Sequence, residues 1–97
     1  MSAVPIHFIC HHTGDDVAVA VVTGQPAGGQ RNCWIMDDDT VLVLDAADPI
    51  PLGHKVALRD IAAGALVHKY GSAIGKAARP IRSGEHVHVH NLASTRW

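Results

Sequence analysis

The apolar residues of this 97-residue chain fall in short runs that are separated by glycine, proline and acidic residues. Short runs rich in Val, Ile and Leu are typical of strands rather than helices. The pattern predicts strands over residues 6–10, 17–22, 33–36 and 40–44, with a loop rich in Gly and Pro over 23–30. The run 17–22 is apolar throughout, which predicts a strand covered on both faces.

One spacing recurs three times in the second half of the chain: an isoleucine, a glycine three residues later, and a valine three residues after that. The isoleucine anchors a strand end, the glycine supplies a turn position open to positive φ, and the valine starts the outgoing strand. The pattern predicts an all-β fold of about eight short strands with little helix, formed by residues 1–97 as a single compact domain. The three corners are Ile50-Gly53-Val56, Ile61-Gly64-Val67 and Ile81-Gly84-Val87.

Histidine and valine alternate over residues 85–91. In an extended strand His86, His88 and His90 would share one face, and Val87 and Val89 would face a core. Histidine is the commonest metal ligand and titrates near neutral pH, so this row predicts either a metal or acid–base site. An exposed strand face that is hydrogen-bonded to nearby loops remains the alternative, because alternate side chains diverge along a strand.

Composition excludes several classes of function. The formal net charge of −1 gives no basic face for nucleic acid. No apolar run approaches the roughly 20 residues of a membrane helix, and no secretory signal is visible, so we expect a cytoplasmic protein without a membrane partner. Cys10 and Cys33 are too few for a disulfide framework and are not spaced as a zinc clip. We expect reduced thiols, with a Cys10–Cys33 bridge as the alternative.

Single residues at corners and ends extend the set of candidates. Lys55 follows the Gly53 corner and is either an anion ligand or a surface lysine. Asn91 either orients a ligand or caps the end of the strand. Trp97, at an otherwise polar terminus, is a candidate subunit contact.

Five short motifs occur in order within residues 41–92. Together they resemble the SAF domain, the small β-clip module of the altronate and galactarate dehydratase family. The resemblance implies a compact β-clip fold. The motifs are Gly-His-Lys at 53–55, Arg-Asp at 59–60, Lys-Tyr-Gly at 69–71, Ile-Gly at 74–75 and His-Val-His-Asn at 88–91.

The resemblance also implies a function. In the large dehydratases of this family the module precedes a long catalytic region, whereas this chain ends at Trp97, so we expect a larger catalytic (beta) subunit as its partner. Nearly end to end the chain is similar to small (alpha) subunits of lyases that convert (2R)-3-sulfolactate to pyruvate and sulfite. That similarity implies elimination next to a carboxylate, a small anionic carboxylate or sulfonate substrate, and a divalent metal, Fe²⁺, that is held here or mainly by the partner.

Besides this lyase subunit, two further functions stay open: the small subunit of an altronate- or galactarate-type sugar-acid dehydratase, and a non-catalytic module that binds a sugar acid or a partner protein.

The resemblance also implies roles for six residues. The expected roles are catalysis by His88 and His90, substrate binding by Lys55, His54 and Asn91, and metal ligation by His86 and His88.

Overall fold

The computed structural model describes residues 5–23 and 27–93. Every regular element in that part of the chain is a strand, which confirms the all-β prediction, with nine strands where about eight were expected. Trp97 and residues 24–26 of the expected loop lie outside the described residues. The strands are β1 Phe8–Cys10, β2 Val17–Ala20, β3 Gln30–Ile35, β4 Thr40–Asp45, β5 Lys55–Ala57, β6 Leu66–Lys69, β7 Ser72–Ala77, β8 His86–Val87 and β9 Leu92–Ala93.

The strands form two sheets. The larger sheet has six strands in the order β4-β3-β1-β2-β5-β8, and the smaller has three in the order β6-β7-β9. Only β1 and β3 pair in parallel; every other named pair is antiparallel. Strand β8 therefore lies at one edge of the larger sheet and β4 at the other.

Side-chain alternation across the larger sheet separates two cores. One face contributes Phe8, Cys33 and Val56 to the first buried cluster. The opposite face contributes Val17, Ala57 and Val87 to the second cluster, which Val67 and Ala77 of the smaller sheet complete from the other side. The smaller sheet thus packs on the β2–β5–β8 end of the larger one.

The repeated isoleucine–glycine–valine corners are present as predicted. Gly53, Gly64 and Gly84 all have positive φ, between 81° and 87°, a region that other L-residues rarely adopt. The isoleucines and valines that flank them are buried, and Ile61 bridges Ile81, so two of the corners pair directly. The local spacing therefore did encode the bends that connect the strands.

Two strand predictions are wrong in part. The predicted strand over 17–22 ends at Ala20, and Val21 is 39% exposed, so the run is not covered on both faces along its length. The predicted strand over 85–91 is extended only at His86–Val87, and the chain turns over residues 88–91. Val89 therefore does not face a core: its side chain is 82% exposed.

Asn91 is the physical reason for the early end of β8. Its buried side chain donates from Nδ2 to the carbonyl oxygen of His86 at 2.8 Å and accepts at Oδ1 from the backbone N–H of His88 at 3.0 Å. Its own N–H and that of Leu92 both donate to the His88 carbonyl oxygen. These bonds close a tight turn and direct the chain into β9.

Candidate functional site

Three histidines, in or directly beside two neighbouring strands, meet at the β8 edge of the larger sheet. Strand β5 pairs with β8 so that Val56 lies opposite His86, and His54 precedes β5. Nδ1 of His54 lies 2.8 Å from Nε2 of His86. His88 follows β8, and its ring centroid is 4.6 Å from that of His54 and 5.6 Å from that of His86. His54, His86 and His88 are called the histidine cluster below.

The histidine cluster fits a divalent metal ion. One nitrogen from each ring can be chosen so that all three lie within 4.8 Å of one another. Two imidazole nitrogens on a tetrahedral ion at about 2.0–2.1 Å are about 3.3 Å apart, so nitrogens bound to one ion would lie closer together than that limit of 4.8 Å. Imidazole suits Fe, Zn, Cu and Ni, and three ligands leave coordination positions open. Within residues 5–23 and 27–93 no other group of three histidine, cysteine or acidic side chains is placed in this way.

His90 lies beside the cluster but outside it. Its ring centroid is 5.5 Å from that of His86, with the two planes tilted by 45°. The side chain is exposed, and it lies in the same turn as Val89 and Asn91. The structure thus brings all three histidines of the predicted row together, although a turn rather than an extended strand does so.

Electrostatics favour the neutral form of His86. Burial lowers the pKa of its imidazole, the charges of His54, His90 and His88 lower it further, and the Asp48 carboxylate opposes them. Only a neutral imidazole has the lone pair that a metal ion needs. In the short contact between His54 and His86 one nitrogen must donate and the other accept, so both rings cannot present N–H there.

Asp48 is a member of the site that the sequence did not reveal. Its Oδ2 accepts a hydrogen bond of 2.9 Å from the backbone N–H of His86, which fixes the start of β8. The two residues are 38 positions apart, and no motif links them. Only the fold brings this carboxylate next to the cluster.

Lys55 and Asn91 are predicted to bind substrate, as His54 is, but neither side chain belongs to the histidine cluster. The sheet register places Lys55 opposite Val19 and Val87, on the face of the second core, whereas His86 lies opposite Val56 on the first-core face. Burial lowers the pKa of Lys55, with a smaller effect from the charge of Lys69. Asn91 uses its side chain on backbone groups of the turn, as its capping alternative predicted. A role for either residue in substrate binding stays a prediction.

The two cysteines supply no reactive group to the site. Both are free and buried, so the alternative of a Cys10–Cys33 bridge is not realised. Burial raises the pKa of Cys10, and it raises the pKa of Cys33 to about 12. Thiolate nucleophiles need a lowered pKa instead.

No helix in the described part of the chain is long and apolar enough to cross a membrane.

The fold and the cluster together define a class: a small all-β domain that presents histidines at an exposed sheet edge. The sequence model of the altronate/galactarate dehydratase SAF domain matches residues 6–95. The chain therefore belongs to that SAF domain family, and the resemblance drawn from the five motifs is confirmed.

Individual relatives extend the family match. The chain is 47% identical over 92 residues to the (2R)-sulfolactate sulfo-lyase subunit alpha of Chromohalobacter salexigens, covering 95% of this chain and 98% of that protein. It is 43% identical over 65 residues to the protein of the same name from Paracoccus pantotrophus, covering 67% and 97%. It is also 42% identical to the altronate dehydratase of Escherichia coli over 89% of this chain, which is 16% of that enzyme.

Proposed function

We propose that this chain is the small subunit of a two-subunit lyase that cleaves the carbon–sulfur bond of (2R)-3-sulfolactate to give pyruvate and sulfite. The observation that carries the proposal is the identity to a sulfolactate sulfo-lyase alpha subunit over 95% of this chain and 98% of that protein. A larger subunit would supply most of the active site, as the word subunit in the names of these relatives suggests. The free thiols agree with a cytoplasmic location.

The exposed histidine turn is suited to completing a site that a partner carries. His88, Val89 and His90 are all exposed in one turn, and an isolated valine that is 82% exposed between two histidines is well placed to enter a pocket of another subunit. The three nitrogens of the histidine cluster leave room for further ligands from that subunit. We therefore propose that this edge supplies part of an active site and that the larger subunit supplies the rest.

The proposed cofactor is a divalent metal, Fe²⁺ by the family resemblance, held by His54, His86 and His88. When bound, it would supply positive charge against the negative charge that develops beside the substrate carboxylate. The Asp48 bond to the backbone of His86 and the Asn91 bonds within the turn hold two of the ligands in place.

His90 is the acid–base residue in this proposal. It is exposed, adjoins the cluster, and does not belong to its ligand set. Its neutral imidazole would take the proton from the carbon that bears the carboxylate. The C–H electrons form the double bond as the carbon–sulfur bond breaks, sulfite leaves with that bond's electron pair, and the resulting enol tautomerises to pyruvate. Lys55 and Asn91 have no part in this step. Lys55 lies on the face of the sheet opposite His86, and the Asn91 side chain bonds backbone groups of the turn.

The experiment is co-expression with the larger subunit and an assay of sulfite and pyruvate released from (2R)-3-sulfolactate. We expect equal amounts of both products from the pair and none from this chain alone. His90→Gln should lower turnover by about 100-fold or more, the usual worth of a general acid–base group. His12→Gln, an exposed histidine of the β1–β2 turn, is the matched control and should leave turnover unchanged. An active pair that tolerates His90→Gln would remove His90 from the mechanism.

Metal binding is tested without turnover. Purified chain should take up Co²⁺ with a change in the visible spectrum, and His54→Ala should weaken that uptake about tenfold or more while His12→Gln does not. Equal uptake by both variants would contradict a metal at the histidine cluster.

The match to altronate dehydratase favours a second candidate, the small subunit of an enzyme that eliminates water from a sugar acid. The same pair of subunits would then release a 2-keto-3-deoxy acid from altronate or galactarate and no sulfite from sulfolactate. A non-catalytic binding module, the third candidate, predicts that replacing His88 and His90 together leaves the turnover of the assembled complex intact.

A further inference from the structure

Strand β4 exposes apolar side chains on both of its faces. Val41 and Val43 lie on one face and are 42% and 52% exposed, and Leu42 lies on the other and is 36% exposed. Natural sheets protect their edges with lysine, proline or a bulge. Residues 40–45 contain no lysine or proline, and β4 pairs with β3 in an unbroken register. The edge therefore has the form that favours pairing with a further strand.

The backbone of β4 also offers hydrogen-bonding groups on the side away from β3. The N–H of Ala46 donates to the carbonyl oxygen of Gly29, directly before β3, so Ala46 bonds towards that strand. Because the direction of these groups alternates along a strand, Val41, Val43 and Asp45 direct their N–H and C=O groups away from β3. In the described part of the chain no strand pairs with β4 on this outer side.

One end of this outer side is already covered. Gly84 packs so closely against the carbonyl oxygen of Asp45 that an added Cβ would collide with it. The free part therefore consists of residues 41–43, and we call it the β4 edge. The smaller sheet leaves the β4 edge open, because it packs at the β2–β5–β8 end and its core contains no residue of β4.

Acidic residues flank the β4 edge on both sides. The turn over residues 36–39 contributes three aspartates before it, and Asp45 follows it. None of these four carboxylates forms an ion pair within residues 5–23 and 27–93. A strand that pairs here with favourable charge therefore has apolar residues at its centre and lysine or arginine at its ends.

This charge pattern disfavours a second copy of the same strand. Three two-fold axes bring the outward backbone groups of two copies together. An axis at Leu42 would place Asp39 of each copy opposite Asp45 of the other, and like charges in that position destabilise a strand pair. An axis at Val41 would bring the acidic turn of each copy towards Asp45 of the other. An axis one residue beyond Leu42 would use the carbonyl oxygen that Gly84 covers.

The larger subunit is the partner that remains, and here the inference rests on the proposed function. In a two-subunit lyase this chain must hold the larger subunit through its own surface, and standard interfaces bury about 800 Å² on each partner. The histidine turn offers a single exposed large apolar side chain, Val89, among the described residues. A second contact surface is therefore needed, and the β4 edge supplies both apolar side chains and free backbone groups.

We propose that the β4 edge is a docking site for the larger subunit, which adds a strand to the larger sheet there. Val41 and Val43 exchange backbone hydrogen bonds with the added strand, and basic residues of that strand face the flanking aspartates. The side chains on the two faces of β4 become buried. In strand addition of this kind the backbone bonds give affinity and the side chains give specificity.

Backbone hydrogen exchange, resolved to single residues, tests the proposal in the isolated chain and in its complex with the larger subunit. We expect the amides of Val41 and Val43 to exchange rapidly in the isolated chain and at least about tenfold more slowly in the complex. The amide of Leu42, which faces β3, should be protected in both. Unchanged exchange on complex formation would overturn the proposal. Protection that rises with the concentration of the isolated chain would assign the edge to a second copy and overturn it too.

A proline at position 43 tests the backbone bonds separately from the side chain. Val43→Pro removes an N–H that faces away from β3 and keeps the ladder to β3, so it should raise the dissociation constant for the larger subunit about tenfold or more. Val43→Thr is the matched control, because it keeps the N–H and the branched shape, and it should change that constant by less than about threefold. Equal affinities of the two variants would contradict strand addition.

A charged variant covers the case in which the proline variant does not fold, which circular dichroism detects. Val43→Lys should also weaken the complex about tenfold or more, because it places a cation on the buried face of the contact. Leu66→Lys, at an apolar residue of β6 that is 46% exposed, is its control and should leave the affinity unchanged. A complex that tolerates Val43→Lys would remove the β4 edge from the interface.

These measurements use no substrate, so their outcome is separate from that of the proposed function. A complex that protects the β4 edge but releases no sulfite from sulfolactate would keep this inference and refute the lyase assignment. An active pair in which the amides of Val41 and Val43 stay unprotected would do the reverse.

Discussion

Replacement of Asn91 by alanine tests whether this residue builds the histidine turn or binds substrate. The change removes two hydrogen bonds, one to the His86 carbonyl oxygen and one from the His88 N–H. Each such bond is worth about 1 kcal/mol net, and orphaned buried groups cost more. Because the turn lies at the surface, water reaches part of the gap, and we expect a total loss of about 2 kcal/mol in the free energy of unfolding.

For a domain of this size that loss lowers the midpoint of thermal unfolding by about 8–16 °C. The assay is urea and thermal denaturation of the isolated chain followed by circular dichroism. Val89→Ala, in the same turn but 82% exposed, is the control and should change stability by less than about 0.5 kcal/mol.

The result that refutes this reasoning is an Asn91→Ala variant as stable as the Val89→Ala control. If that variant also raised KM for the assembled enzyme, Asn91 would be a substrate ligand, the alternative that the sequence left open. A loss of stability together with weaker Co²⁺ uptake would show that the turn positions the His88 ligand, since both polar atoms of the Asn91 side chain bond backbone groups of the turn.

Three other predictions give independent checks. Gly84→Ala should destabilise the fold by more than about 2 kcal/mol, because its φ is +87° and an added Cβ would collide with the carbonyl oxygen of Asp45; Gly53→Ala, with φ +82° and open space, should cost only the backbone strain of about 1–2 kcal/mol. Cys33 has a pKa raised to about 12, so a thiol reagent at pH 8 should modify it only on unfolding, and fast modification of native protein would contradict its burial. Hydrogen bonds from the β1–β2 turn lower the pKa of Asp37 from 3.8, so its contribution to stability is present above that pH and is lost as the pH falls through the lowered pKa. Urea midpoints of wild type and Asp37→Asn should therefore converge on acidification, and parallel curves would remove Asp37 from the acid transition.

The glycine corners that connect the strands could be predicted from the sequence because they depend on local chemistry. Only glycine adopts positive φ at low cost, so a glycine at fixed distance from two aliphatic residues indicates a bend wherever it occurs. Gly53, Gly64 and Gly84 all obey this rule. Short apolar runs likewise predicted most strands, although β3 begins at Gln30, because its pairing with β4 extends it into the expected loop.

The candidate site could be predicted only in part. Two-residue periodicity pointed to His86, His88 and His90, but it assumed that the extended backbone continued to Asn91. The side chain of Asn91 ends that extension through bonds to the chain behind it, which exposes Val89. Residue types alone do not reveal which of two uses an asparagine serves, because its amide is equally able to bond a ligand or the backbone.

The sequence by itself determined that this protein is all-β, that glycine corners connect its strands, that histidines gather near residues 86–90, and that it carries the motifs of its family. Only the tertiary structure decided that His54 joins that group, because strand pairing across 32 positions brings Nδ1 of His54 to 2.8 Å from Nε2 of His86. The same pairing turned Lys55 to the face opposite that of His86. Side-chain alternation is a local property of a strand, whereas the choice of neighbouring strand, and with it the composition of each face, depends on contacts between distant parts of the chain.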